Sequence, residues 1–297
     1  MTETPRGDSA LQGVIAAVPT PVGRMGAPDL ARVLRHSEWA LANGCDGLNI
    51  LGTTGEANSF SAAARRQIMA AATAALPGQK LMVGTGTPDL ETTAALTNSA
   101  AELGYGAALV LPPFYYKGVS DAGLLRYFTA LAGATDDTPI PIYLYNFPAL
   151  TGVPFSVDLV RRLAEETAGR ICGIKDSSGD IPYCREIVAA IPGFKVFPSS
   201  ETVLEGARGD GFAGCISATV NISAPLCGKI WNGAAQPGDA AEVARIRSAA
   251  SAVPLIAAVK YLVARRFGDR EWERVLPPLV ELSAAEKNGL DGIHLPA

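Results

Sequence analysis

Lys175 ends the apolar run Ile171-Cys172-Gly173-Ile174-Lys175, and Asp176-Ser177-Ser178-Gly179 breaks the pattern directly after it. The run reads as a buried strand, so a lysine at its end needs a reason. Lysines often close strands simply by extending their amines into solvent. An ammonium withdrawn from water is disfavoured, however, so an amine held at the mouth of an apolar barrel can shed its proton and attack a carbonyl. That is the chemistry of a Schiff base. Lys80, Lys117, Lys195, Lys229, Lys260 and Lys287 fall in loops, at strand starts or in helical stretches where solvation is easy. Lys175 is therefore the candidate nucleophile.

Tyr145 precedes Lys175 by 30 residues. If strand and helix alternate with that repeat, the two stand at the same level of adjacent strands and face the same mouth. Schiff-base formation needs a proton for the departing hydroxyl, and carbon–carbon cleavage needs one removed from a substrate hydroxyl. A phenol relayed through a threonine is suited to both. Gly52-Thr53-Thr54-Gly55-Glu56 supplies that threonine, and its paired N–H groups and hydroxyls suit a carboxylate or phosphate oxygen. The same segment also reads as an ordinary strand-to-helix turn with a capping threonine. Two further strand exits carry unusual residues, Pro112-Pro113-Phe114-Tyr115-Tyr116 and Tyr143-Leu144-Tyr145-Asn146.

Short apolar runs fall at residues 14–18, 46–51, 80–84, 107–111, 140–145, 171–175, 194–197 and 214–218, which makes eight candidate strands. Helical patterns lie between them, as at 29–42, 62–76, 90–103 and 157–166, with glycine or proline at most boundaries. A doubly wound open sheet competes, but eight even repeats favour an α/β closed parallel barrel, the (β/α)8 TIM barrel. Residues 239–267 and 270–287 read as extra helices, the second anchored by Trp272, Leu276, Leu279 and Leu282. The expected division is a catalytic barrel over 1–235 and a helical extension over 236–297.

Composition narrows the function. The chain has 297 residues, a net charge of −4 and no dense Lys/Arg cluster, which argues against nucleic acid or a polybasic membrane contact and for a small-molecule substrate. No apolar stretch reaches the roughly 20 residues of a membrane span, and the opening residues 1–13 are polar, so a cytoplasmic location is expected. The five cysteines are widely spaced in apolar segments and read as reduced packing residues. Only His36 and His294 occur, so neither a multi-histidine metal site nor a serine triad is expected. His36 reads as a helix-surface residue.

Gly52-Thr53-Thr54-Gly55-Glu56, Tyr145-Asn146-Phe147-Pro148 and Gly173-Ile174-Lys175 together resemble the signatures of the dihydrodipicolinate synthase and N-acetylneuraminate lyase superfamily. The match runs in order from Pro19-Thr20-Pro21 to Thr219-Val220-Asn221. The resemblance implies a pyruvate-handling class I aldolase or synthase on a (β/α)8 barrel, needing no cofactor or metal and assembled as a dimer of dimers. It implies that Lys175 forms the Schiff base, Tyr145 transfers protons, and Thr53 with Thr54 holds the carboxylate of a 2-oxo acid. Tyr116 would complete a proton relay across a dimer interface, and Ile216 would offer its backbone carbonyl near the lysine.

The partner aldehyde is set by other positions. Where dihydrodipicolinate synthases carry an arginine for the second substrate's carboxylate, this chain has Leu150, which cannot pair with one. Where neuraminate lyases carry an acidic pair, it has Ser199-Ser200-Glu201-Thr202. The stretches around Tyr145 and Lys175 are similar to those of 2-keto-3-deoxygluconate aldolases, so the expected substrate is a 2-keto-3-deoxy sugar acid, with Ser199, Glu201 and Thr219 as candidate hydroxyl contacts. A dihydrodipicolinate synthase, a 2-keto acid dehydratase and a non-catalytic 2-oxo-acid-binding regulatory protein stand as alternatives. Asp176 reads as a cap of the following helix.

Overall fold

The computed structural model describes residues 11–296. Residues 1–10, most of the polar opening segment, lie outside the described residues. Eight strands form one parallel sheet: β1 Gly13–Ala17, β2 Gly47–Ile50, β3 Leu81–Gly84, β4 Ala107–Val110, β5 Ile142–Asn146, β6 Ile171–Asp176, β7 Lys195–Pro198 and β8 Gly214–Ser217. Their order is β7-β6-β5-β4-β3-β2-β1-β8. The Ala213 N–H donates to the Val196 carbonyl at 2.9 Å and draws the two ends together into a (β/α)8 barrel.

Around it run α1 Leu30–Ala42, α2 Ala62–Ala75, α3 Leu90–Glu102, α4 Asp121–Gly133, α5 Pro148–Thr151, α6 Val157–Glu166, α7 Ile181–Ala190 and α8 Val220–Trp231. Side chains capping the N-termini satisfy backbone donors that helix geometry leaves unpaired: Asp29 on α1, Ser61 on α2, Asp89 on α3 and Ser156 on α6. Strand alternation sorts the core into two layers. In β5, Ile142 and Leu144 join the layer between sheet and helices, whereas Tyr143 and Tyr145 join the barrel interior with Ile15, Met82, Phe197 and Ile216. Gly173 on β6 is glycine because the Tyr143 ring lies where its Cβ would stand, 2.3 Å away.

Three expectations about elements are corrected. The seventh unit has no α-helix: β7 is followed by a 3-10 turn at Glu201–Val203 and further turns, in a stretch weakened as helix by Gly206, Gly209 and Gly211. Residues 239–267 form two helices, α9 Asp239–Ser251 and α10 Leu255–Phe267, bent by 119° at a break that Pro254 helps to fix. Residues 270–287 hold a 3-10 turn at Arg270–Glu273 and an irregular segment, and the last helix, α11 Ala284–Asp291, starts late with Ser283 and Glu286 as its capping box. These elements share a second core, with Ile222 of α8, Ile246, Leu262, Val263 and Trp272. No single described helix is long and apolar enough to cross a membrane.

His36 is also corrected. It is fully buried rather than on the surface, with Nε2 2.8 Å from Asn221 Oδ1 and its ring among Trp39, Phe267 and Trp272. Burial is the largest cause that pulls its pKa down from 6.5 to about 4, and Arg266 and Arg35 add to it. Between those values the unfolded chain binds the extra proton, so the contribution of His36 is complete above about pH 6.5 and fades as pH falls towards 4, by about 3 kcal/mol in total. Urea unfolding at pH 7 and pH 4.5 is expected to give a smaller pH-dependent loss in a His36→Gln variant than in the parent. Equal losses would exclude His36 as the titrating group.

Candidate active site

The C-terminal ends of the strands surround a cavity of about 530 Å³. Tyr145 on β5 pairs in register with Lys175 on β6, and both side chains point inward and are buried. Lys175 Nζ lies 4.4 Å from the centroid of the Tyr145 ring. The Tyr145 hydroxyl is 3.1 Å from Thr53 Oγ1 across the mouth, so the phenol lies between the lysine amine over its ring and the threonine hydroxyl that it pairs with. Thr53, Thr54, Tyr145, Lys175, Ser199 and Ile216 all line the cavity.

Unusual backbone shapes the threonine turn. Leu51 and Glu56 bracket it at φ of 54° and 55°, a left-handed conformation that non-glycine residues adopt at a cost. Among the described residues no backbone acceptor takes the Thr53 and Thr54 N–H groups, so they are free for an oxyanion. Glu56 is held from the far side: one carboxylate oxygen accepts from the Lys260 ammonium on α10, and the other accepts from the Leu276 N–H at 2.6 Å. Lys260 and Glu56 side chains are both fully buried. The expectation that Lys260 is readily solvated is therefore wrong. Burial pushes its pKa down, against the opposing pull of Glu56.

Asp176, the next residue after the lysine, is not a helix cap; Asp180 caps α7. Asp176 accepts from Asn146 Nδ2 at 2.6 Å and from the Ser178 N–H and hydroxyl at 3.1 and 2.8 Å. It locks the ends of β5 and β6, one residue beyond Tyr145 and Lys175. Glu201 is buried and lies outside the cavity lining, with its carboxylate held by Ser217, Thr219 and Arg247. Tyr116 does not reach the cavity within one chain; it is 72% exposed and stands edge-on to Tyr115. Lys117 is occupied by the Phe114 and Thr151 carbonyls.

Arg247 on α9 was not anticipated, because nothing in the pattern of a helix after the barrel marks a side chain that leans back over the mouth. It lines the cavity together with Leu255, Ile256, Leu279 and Val280 from the same C-terminal region. Among the described residues no three His, Cys, Asp or Glu side chains gather as a metal site. No disulfide joins the cysteines among the described residues, and burial raises the thiol pKa values of Cys45, Cys184, Cys215 and Cys227.

A barrel with this mouth is an enzyme of the carbon–carbon lyase class, a class I aldolase. The chain belongs to the dihydrodipicolinate synthetase family, which it matches over residues 10–291. It is 34% identical over 238 residues to a 4-hydroxy-tetrahydrodipicolinate synthase of Rhodospirillum centenum, covering 80% of this chain and 79% of the relative. It is 32% identical over 231 residues to an uncharacterized DapA-like lyase of Chloroflexus aurantiacus, covering 77% of each. Among solved structures, dihydrodipicolinate synthase from Agrobacterium tumefaciens superposes with a TM-score of 0.88 at 29% identity, over 95% of this chain and 98% of that one. YagE, a dihydrodipicolinic acid synthase family protein from E. coli K12 in complex with pyruvate, superposes at 0.85 and 27% identity, over 95% and 96%.

Proposed function

We propose that this enzyme makes or breaks the bond between pyruvate and an aldehyde through an imine on Lys175, acting on a 2-keto-3-deoxy sugar acid. The carrying observation is the register of Tyr145 with Lys175, together with the Thr53 hydroxyl on the phenol. The free Thr53 and Thr54 N–H groups suit the pyruvate carboxylate, and the YagE likeness supports pyruvate as the ligand. Leu150 at the rim opposes an acceptor that needs an arginine at that position.

In the synthetic direction Lys175 Nζ adds to C2 of pyruvate, and Tyr145 delivers the proton with which the C2 oxygen leaves as water. The imine draws electrons from the C3–H bond, and the Tyr145 phenolate takes that proton, which leaves an enamine and restores the phenol. Its C3 attacks the aldehyde carbon, the new alkoxide takes a proton from Tyr145, and water then hydrolyses the imine to free the lysine. Cleavage is the reverse, with Tyr145 removing the proton of the C4 hydroxyl. The group needs no cofactor, because the imine itself is the electron sink.

Pyruvate release from 2-keto-3-deoxygluconate is the assay. Tyr145→Phe is expected to lower kcat by about 10²- to 10⁴-fold with KM little changed; an unchanged kcat would remove the phenol from the mechanism. We infer that a second copy of the chain, in a homo-oligomer, supplies Tyr116 to the relay. Tyr116→Phe should then slow the same reaction without weakening folding, and full activity would leave the relay within one chain. Loss of water without pyruvate would identify a dehydratase instead.

A further inference from the structure

We propose that Arg247 selects the acceptor, and that the aldehyde half of the substrate is short and ends in an oxyanion, a carboxylate or a phosphate. This rests on the imine reading above and names the half of the substrate that reading leaves open.

Arg247 reaches the cavity from α9, above the exits of β7 and β8. Only Nη1 is occupied: it donates to the Ser199 carbonyl at 3.2 Å, Glu201 Oε2 at 3.0 Å, Ser217 Oγ at 3.2 Å and Thr219 Oγ1 at 3.4 Å. Glu201 is itself fixed by the Ser217 hydroxyl at 2.6 Å and by Thr219. These bonds clamp one corner of a planar group. Among the described residues Nε and Nη2 have no hydrogen-bond partner, and the two N–H groups form one edge of the fork that matches a pair of anionic oxygens. The side chain remains 27% exposed, so that edge is open to a ligand.

The surrounding wall decides what the edge would take. Leu150, Leu255, Ile256, Leu279 and Val280 offer nothing to a chain of hydroxyls, and the neutral donors near them are Ser177 and Ser199. A long polyol would lose water without replacement, whereas one terminal oxyanion gains charge-assisted bonds beside an apolar wall. Glu201 cancels much of the net charge of Arg247, so recognition depends on the fork rather than on long-range attraction. Arg247 thus supplies, from the C-terminal helices, a carboxylate partner that Leu150 cannot be.

The test uses imine capture, which does not require the natural aldehyde. Borohydride trapping on Lys175 is titrated with 2-oxoadipate against 2-oxohexanoate, and with 2-keto-3-deoxy-6-phosphogluconate against 2-keto-3-deoxygluconate. At least one anionic member should half-saturate at a concentration about tenfold or more below its neutral-ended partner. Preference in the first pair identifies a carboxylate, and preference in the second a phosphate. Arg247→Lys keeps a positive charge beside Glu201, which protects folding, yet lacks the fork; it should abolish the preference while pyruvate capture stays within about threefold. Equal capture within both pairs, or a variant that weakens pyruvate as much as the anionic ligand, would overturn the proposal. If pyruvate itself is never trapped, the imine reading fails and this inference goes with it; if pyruvate is trapped without any preference, this inference alone fails.

Discussion

Lys175→Ala is expected to lower pyruvate release by about four orders of magnitude or more, because the proposed imine needs an amine at that position. Of the residues lining the cavity, Lys175 is the one lysine. Its Nζ is held against Tyr145, whose hydroxyl meets Thr53 Oγ1 at 3.1 Å. Folding should survive, since the lysine makes no hydrogen bond there whose loss would strand a partner, and the unfolding free energy should change by no more than about 1–2 kcal/mol. Folded protein with residual activity near that of the parent would mean that the lysine only fills the mouth.

Glu56→Ala is expected to cost about 3–5 kcal/mol, since it leaves the Lys260 ammonium buried without its counter-charge and the Leu276 N–H without an acceptor. The loss should extend to the site. Glu56 ends the turn that presents Thr53 and Thr54, and its left-handed φ persists because α10 and the 276 segment hold it. Pyruvate KM should therefore rise along with the loss of stability. In the double variant Glu56→Gln with Lys260→Met both charges vanish and the acceptor for Leu276 remains. It should be more stable than the sum of the single changes by about 1 kcal/mol or more. Additive losses in urea unfolding would show that the two side chains do not act as a pair.

The barrel and the placing of Tyr145 beside Lys175 were legible because they depend on periods. Eight apolar runs announced eight buried parallel strands, and the 30-residue interval from Tyr145 to Lys175 became a register pairing of β5 with β6. What was not legible depends on contacts between distant segments. Lys260 sits in an ordinary helical pattern, and only the approach of Glu56, 204 residues away, makes its burial tolerable. His36 is buried by Trp272 and Phe267, which come from the far end of the chain. Asp176 looked like a cap because it precedes a helix, but strand β6 runs one residue past the lysine and turns its carboxylate to Asn146. Arg247 belongs to the same group. Its place at the mouth follows from bonds to the Ser199 carbonyl and Glu201, 48 and 46 residues away, which periodicity does not encode.

The central claim is tested most directly by incubating the protein with pyruvate and borohydride, then locating the adduct by intact and peptide mass spectrometry. Reduction converts the imine into a stable secondary amine that retains the pyruvate carbon skeleton. The account predicts a single adduct on the peptide that contains Lys175, absent from Lys175→Ala. An adduct on another lysine, or none while pyruvate still binds, would contradict it.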